Sequence, residues 1–316
     1  MSKPRKHHYV PQFYLSGFTA VPGSSRLFVL DKQTGRSYPS RASNAACERD
    51  FYIVEVEDEG DPFAVEKFFA NIEDIGADAL RFIIKERAVP TDMLYHKLMA
   101  FLAVMAVRGP AILDAIEKPI EQILKTVAWH MTATPDRYER MMERLREDGH
   151  DTSGITYESM REFVEQGEYT ISMGQNFRIS SLLRMLKPTE PLLAARNWTV
   201  ISATEDAPDF ICSDRPMTIS WSDPRRNSLY PPGFGLKGTT VMFPVARRLA
   251  LLGLFEELRP AVQAGPRTVA VINTFTAMYA RRFVYSGSDD FMVVLGDDGQ
   301  LVGRDEFMKR ITQDEP

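Results

Sequence analysis

The sequence predicts an α+β fold: a short N-terminal β element, a central α-helical layer, and a C-terminal, mainly antiparallel β-sheet that carries one helix. Three observations predict it. Runs rich in β-branched and aromatic residues cluster towards both ends, over residues 26–56 and 197–255. Between Phe63 and Met131 the apolar residues recur at helical spacing instead. No internal repeat, low-complexity tract or linker interrupts the chain. We therefore expect a single α+β domain over residues 1–316, β-rich over 1–60, helical over 63–190 and β-rich again over 196–300. A helical lobe beside a sheet-based lobe is the alternative.

Gly17 and Pro22-Gly23-Ser24-Ser25 punctuate the chain before a first strand, Arg26–Asp31. Lys32-Gln33-Thr34-Gly35 reads as a hairpin turn and Arg36–Pro39 as its return strand. Phe51–Val56 predicts a third strand, closed by the acidic Glu57–Pro62 run. From Phe63 to Glu86 the apolar positions 65, 68/69, 72, 75/76, 79/80 and 83 fit one helix, with Pro62 near its start. Thr91-Asp92 cap a second helix, Met93–Val107, whose inner stripe of Leu94, Leu98, Phe101/Leu102 and Met105 leads to Arg108. Gly109-Pro110 breaks it, and Ala111–Met131 resumes the helical pattern.

Residues 135–148 form a charged amphipathic helix with few apolar anchors, ended by Gly149. Shorter helices follow over Tyr157–Gln166 and Gln175–Leu186. Strands are expected over Asn197–Ser202, Asp209–Ser213, Met217–Trp221, Thr239–Val245 and Leu249–Phe255, with a Pro-, Gly- and cation-rich loop at Ser222–Gly238. A helix over Thr268–Phe283 and a strand over Phe291–Leu295, turned by Gly296-Asp297-Asp298-Gly299, complete the pattern.

Apolar content of 44% and charged content of 26% are those of a globular protein and exclude a disordered chain. A net charge of −5 asks for no nucleic-acid or membrane partner in bulk, although Lys3, Arg5 and Lys6 make a basic terminus. Cys47 and Cys212 stand apart with no CxxC, so they read as reduced structural thiols and not as a zinc site. The N-terminus lacks an apolar secretory stretch, and no run approaches the ~20 apolar residues of a membrane span. The expected setting is cytoplasmic, with no membrane partner.

The stretch Lys6-His7-His8-Tyr9-Val10-Pro11-Gln12-Phe13-Tyr14-Leu15 holds two of the five histidines. Terminal segments are usually small, polar and disordered. This one is rich in large apolar side chains, so it should pack against the body of the protein. Neighbours in extended backbone face opposite sides, so the two imidazoles serve different surroundings. Pro11 holds Val10 extended. Imidazole suits metal ligation and acid–base work near neutral pH.

Glu66 and Glu73, seven residues apart, lie about 20° from each other on their helix. Arg108 continues a buried stripe, where a guanidinium requires partners. Asp214 ends a strand in Ser213-Asp214-Arg215-Pro216, and Asn273 flanks the buried face of the C-terminal helix. His7, His8, Glu66, Glu73, Arg108, Asp214 and Asn273 are the candidate catalytic residues, with His8, Glu66 and Asp214 as candidate ligands of a divalent metal. The plainer roles are packing histidines, helix-flank carboxylates and, for Asp214, a turn cap. His96 and His130 have no partner histidine at ligand spacing and read as structural. The sequence carries no GxxxxGK[ST], HExxH or GxSxG motif, which argues against P-loop, zincin and serine-hydrolase sites, and its GxGxxG match at Gly233–Gly238 lies in the loop before an expected strand and opens no helix.

His-His-Tyr-Val-Pro-Gln-Phe-Tyr-Leu at 7–15 resembles the hallmark of domain-of-unknown-function family 4238. Arg49-Asp50-Phe51-Tyr52, Glu66, Glu73, Arg108-Gly109-Pro110, Trp198, Ser213–Pro216, Phe243-Pro244 and Asn273 follow in that family's order. The resemblance implies kinship over nearly the whole chain and no particular activity. His-His-x-x-Pro is also similar to the metal-binding motif of HNH-type nucleases. Here, though, little chain precedes His7, and the next clear helix begins only near Phe63, with Asn71 as its obvious polar residue.

Two function classes stand at this point. One is a metal-assisted hydrolase acting on nucleic acid or another phosphorylated substrate, with Arg108 as phosphate clamp. The other is a binding module in which the same groups form a buried network that pins the N-terminal segment.

Overall fold

The computed structural model describes residues 6–21, 23–56, 60–223, 225–226, 228–296 and 299–313. Lys3 and Arg5 of the basic terminus, Pro22, the Glu57-Asp58-Glu59 run, Pro224 and Asn227 of the long loop, and the Asp297-Asp298 turn lie outside the described residues. Packing divides the chain into two units, residues 1–111 with 179–316, and residues 112–178.

The first unit opens with β1 (Lys6–His8), α1 (Gln12–Leu15), β2 (Arg26–Asp31), β3 (Arg36–Arg41) and β4 (Cys47–Arg49), then α2 (Ala64–Glu86) and α3 (Asp92–Val107). Every α3 residue from Leu98 to Val107 except half-buried Ala100 is buried, so its single expected stripe becomes burial on nearly all sides. Helices α2 and α3 meet at Gly76, where an added Cβ would collide with the Phe101 ring.

Helix α4 (Pro110–Met131) leads into the second unit, which contains α5 (Pro135–Glu147) and α6 (Tyr157–Gln166). Thr134 caps α5 and Thr156 forms a capping box on α6. Arg178 pairs with Glu117 at 2.7 Å within this unit.

Helix α7 (Gln175–Ala194) returns the chain to the first unit. It outruns its expected end at Leu186 through Pro188 and Pro191. Both prolines are exposed, so the carbonyls they release meet water. The remaining elements are β5 (Asn197–Ala203), β6 (Cys212–Ser213), β7 (Thr218–Trp221), β8 (Thr239–Ala246), β9 (Leu249–Leu254), β10 (Ala261–Ala264), α8 (Pro266–Tyr279), β11 (Phe283–Ser286), β12 (Met292–Leu295), β13 (Gln300–Gly303) and α9 (Arg304–Gln313).

The fold is α+β. One sheet has the order β10-β5-β9-β8-β7 and is antiparallel except where β10 pairs parallel with β5. The second, β3-β2-β11-β6, joins the N-terminal hairpin to C-terminal strands, all antiparallel. Small ribbons β1-β4 and β12-β13 complete the sheets.

Three further local expectations change. Phe51–Val56 is turn and irregular backbone. Its aromatic residues are there for packing, with the Tyr52 ring 4.8 Å from that of Phe69. Only Cys212–Ser213 of the 209–213 run is strand. Helix α8 stops at Tyr279, where Lys32 Nζ donates to the carbonyls of Ala277, Met278 and Ala280, and Phe283 belongs to β11.

Arg196 is a buried arginine that periodicity did not reveal. It donates to the carbonyls of Phe234 (2.6 Å) and Thr239 (2.9 Å), its guanidinium lies 4.5 Å from the Phe255 ring centre, and burial pulls its pKa down to about 10. It thereby fixes the C-terminal end of the 222–238 loop. Among the described residues no single helix is long and apolar enough to cross a membrane.

Candidate functional site

The N-terminal segment is an ordered strap. β1 pairs antiparallel with β4, matching His7 with Glu48 and His8 with Cys47. Tyr9 N–H extends the contact to the Ala46 carbonyl at 3.0 Å. Pro11, at φ −60°, starts the short helix α1. From there Tyr14 donates to the Pro244 carbonyl at 2.7 Å and stacks on Phe243, 5.2 Å between ring centres. The Arg247 N–H bonds the Gly17 carbonyl at 3.0 Å, so the strap is held along β8.

Strand alternation separates the histidines as the sequence implies. His7 is fully buried and stacks on Tyr52 at 5.9 Å, the rings 8° from parallel. Tyr52 N–H donates to its Nδ1 at 2.9 Å, which assigns the ring proton to Nε2. Glu66 Oε2 stands 3.9 Å from that same Nδ1. His8 is half-buried and its Nε2 meets the Gln12 amide at 2.9 Å. Burial, then the charges of Arg108 and Lys6, hold the His8 pKa below its usual value against the opposing Ala45 backbone.

Arg108 is the centre of the cluster and is 1% exposed. Its Nη1 donates to Glu73 Oε1 at 2.7 Å, its Nε to Tyr52 Oη at 3.3 Å, and its Nη2 to the His8 carbonyl. Tyr52 Oη returns a bond to the Arg108 carbonyl at 3.0 Å. The guanidinium also lies 4.9 Å from the Phe69 ring centre and 5.6 Å from that of Tyr52. Burial opposes its charge, but Tyr52 and Glu73 more than offset this and keep it protonated. Burial also pushes Tyr52 up to about 12, which keeps its hydroxyl a donor.

Glu66 and Glu73 lie together at the cluster, with side chains 31% and 24% exposed. Burial raises the Glu66 pKa above its usual 4.5, Glu73 adds to the rise, and Arg108 opposes it. Ionising Glu66 therefore costs the folded state stability as pH climbs from 4.5 through the higher folded pKa. Glu66→Gln is expected to gain stability relative to wild type above that window and none below it. Urea melts of both proteins at pH 4 and pH 8 check this; an equal difference at both pH values would contradict it.

Asp214 and Asn273 are engaged elsewhere. The Asp214 carboxylate accepts three consecutive backbone amides, Arg281 (2.8 Å), Arg282 (2.7 Å) and Phe283 (2.8 Å). Burial raises its pKa and these amides oppose the rise. Only the Asp214 main chain approaches the cluster, with its carbonyl 3.4 Å from where a Gly109 Cβ would lie. Asn273 is fully buried, accepts from Ile211 N–H at 3.1 Å, and donates to the carbonyls of Asp209 (2.9 Å) and Met292 (3.1 Å). It ties α8 to the strand ends.

The structure thus brings together His7, Glu66, Glu73, Arg108 and the His8 main chain. Among the described residues no group of three or more His, Cys, Asp or Glu side chains is arranged to hold a metal ion, so the expected set of His8, Glu66 and Asp214 is not assembled as ligands. Sequence reasoning missed the aromatic walls, Tyr52 and Phe69. The available signal was the buried arginine itself, which demands a polarisable lining as well as a carboxylate.

No curated protein and no solved structure matches the chain. A family model does, the protein of unknown function (DUF4238), over residues 6–290. That match spans the strap, the Arg108 cluster and both large sheets, and the chain belongs to this family.

Proposed function

We propose that the protein is a binding module, in which the His7–Tyr52–Glu73–Arg108 cluster seats the N-terminal strap and recognition takes place on exposed surfaces. The observation that carries this reading is Arg108. Each of its guanidinium nitrogens already has a partner inside the protein and the residue is 1% exposed, so it is closed off from a phosphate in solution. His7 Nδ1, the Asp214 carboxylate and the Asn273 amide are likewise engaged by main-chain groups. The two unpaired thiols, half-buried Cys47 and buried Cys212, suit a cytoplasmic setting.

A hydrolase, in its narrowest form a metal-assisted nuclease or phosphodiesterase, is the second reading, and one observation favours it. Glu66 has a raised pKa and a buried Oε2 without a hydrogen bond among the described residues, in the pattern of a general acid or base. Elemental analysis of untagged protein, with nuclease and phosphatase panels run with added divalent metals, separates the two. The binding reading expects no stoichiometric metal and no turnover. Turnover that disappears in folded Glu66→Gln would overturn it.

A further inference from the structure

Helix α5 has three faces. At about 100° per residue, Tyr138, Met142 and Leu145 form one side, on which Tyr138 and Met142 are buried. Asp136, Glu139, Glu143 and Glu147 form an acidic stripe. Arg137, Arg140 and Arg144 fall within about 60° of one another on the third side and span about 10 Å of helix. Together with Met141 they line a cavity of about 300 Å³ whose other wall is His130 and Met131 of α4.

The acids stand within reach of these arginines by spacing, Asp136 four residues before Arg140 and Glu143 three after it. Yet among the described residues no ion pair or side-chain hydrogen bond engages Arg140 or Arg144, and Arg137 reaches just the His130 carbonyl at 3.4 Å. Other arginines of the same unit are paired, Arg161 with Glu165 at 2.8 Å and Arg178 with Glu117 at 2.7 Å. Trp129 adjoins the groove, 54% exposed, with its ring 5.1 Å from that of His130.

Guanidinium groups match phosphate oxygens in fork geometry, and an exposed indole offers a face on which a base can stack. A row of cations about 10 Å long beside an aromatic platform has the composition of a groove that tracks a flexible phosphate backbone. We propose that Arg137, Arg140 and Arg144, with His130 and Trp129, bind single-stranded nucleic acid. This extends the binding reading with a class of partner. The site itself stands on the groove and its unengaged arginines.

The test is fluorescence anisotropy of the full chain with a labelled twenty-nucleotide oligo-dT at several salt concentrations. The wild type is expected to bind with a Kd on the order of 10 µM at low salt. Log affinity should fall against log salt with a slope near −2, from three phosphates at about −0.7 each. Arg140→Gln with Arg144→Gln should weaken binding at least tenfold and flatten the slope by about 1.4. Trp129→Ala should weaken binding about tenfold and leave the slope unchanged.

These positions are exposed, and a thermal melt confirms that each variant is folded. No binding by the wild type, unchanged affinity and slope in the arginine pair variant, or equal affinity for a duplex of the same length would each overturn the assignment. A gel of the same samples separates this result from the broader reading. Cleavage of an oligonucleotide whose affinity depends on the arginines would support the groove and overturn the binding-module function.

Discussion

Arg108→Ala is expected to cost about 3–5 kcal/mol, the usual effect of removing one partner from a buried ion pair. Three acceptors lose their donor at once: Glu73, the Tyr52 hydroxyl and the His8 carbonyl. Glu73 is 24% exposed and recovers part of its loss through water, which argues for the lower half of the range. The space vacated between Tyr52 and Phe69 adds a packing term. Arg108→Lys should fall between wild type and alanine, because one ammonium cannot reach all three acceptors in their present directions.

Urea unfolding gives the stability, and the Tm should drop by on the order of 10 °C. Hydrogen exchange supplies the diagnostic readout. Amides of His8–Leu15 should lose protection more than those of β8 or β9, since the strap loses the anchor on its own main chain. Uniform loss, or unchanged exchange in the strap, would show that Arg108 is not its anchor.

Asp214→Ala is the second large effect. It strands the amides of Arg281, Arg282 and Phe283, each worth about 1–3 kcal/mol when buried and unpaired. Asp214→Asn should cost less, because the remaining carbonyl oxygen still accepts while the new NH₂ faces donors. The order wild type, Asn, Ala in thermal midpoint identifies a carboxylate that organises the turn from α8 into β11. Midpoints that do not change in either variant would remove Asp214 from that role.

The α+β class and the helices over 64–131 were legible because their signals are periodic and local. The strap was legible as a docked segment, since Tyr9–Leu15 is too apolar for a free tail. Its partners were not, because the Tyr14–Pro244 and Arg108–His8 bonds join positions 230 and 100 residues apart. Phe51-Tyr52 misled for a related reason. Aromatic enrichment marks burial, and burial against a helix looks the same in sequence as burial in a sheet. Asp214 was placed correctly at a strand end, but the three amides that occupy it come from a turn some 67–69 residues later.

The strap also sets an order of events. Lys6–Leu15 leaves the ribosome before Tyr52, Arg108 or Pro244 has been made. Until those partners are made it is an exposed apolar ribbon, a state in which chaperones bind and aggregation begins. Its first partners, β4 and Tyr52, emerge some 40–45 residues after it, Arg108 100 residues after His8, and Pro244 230 residues after Tyr14. The strap is thus fully seated only once β8 has been made.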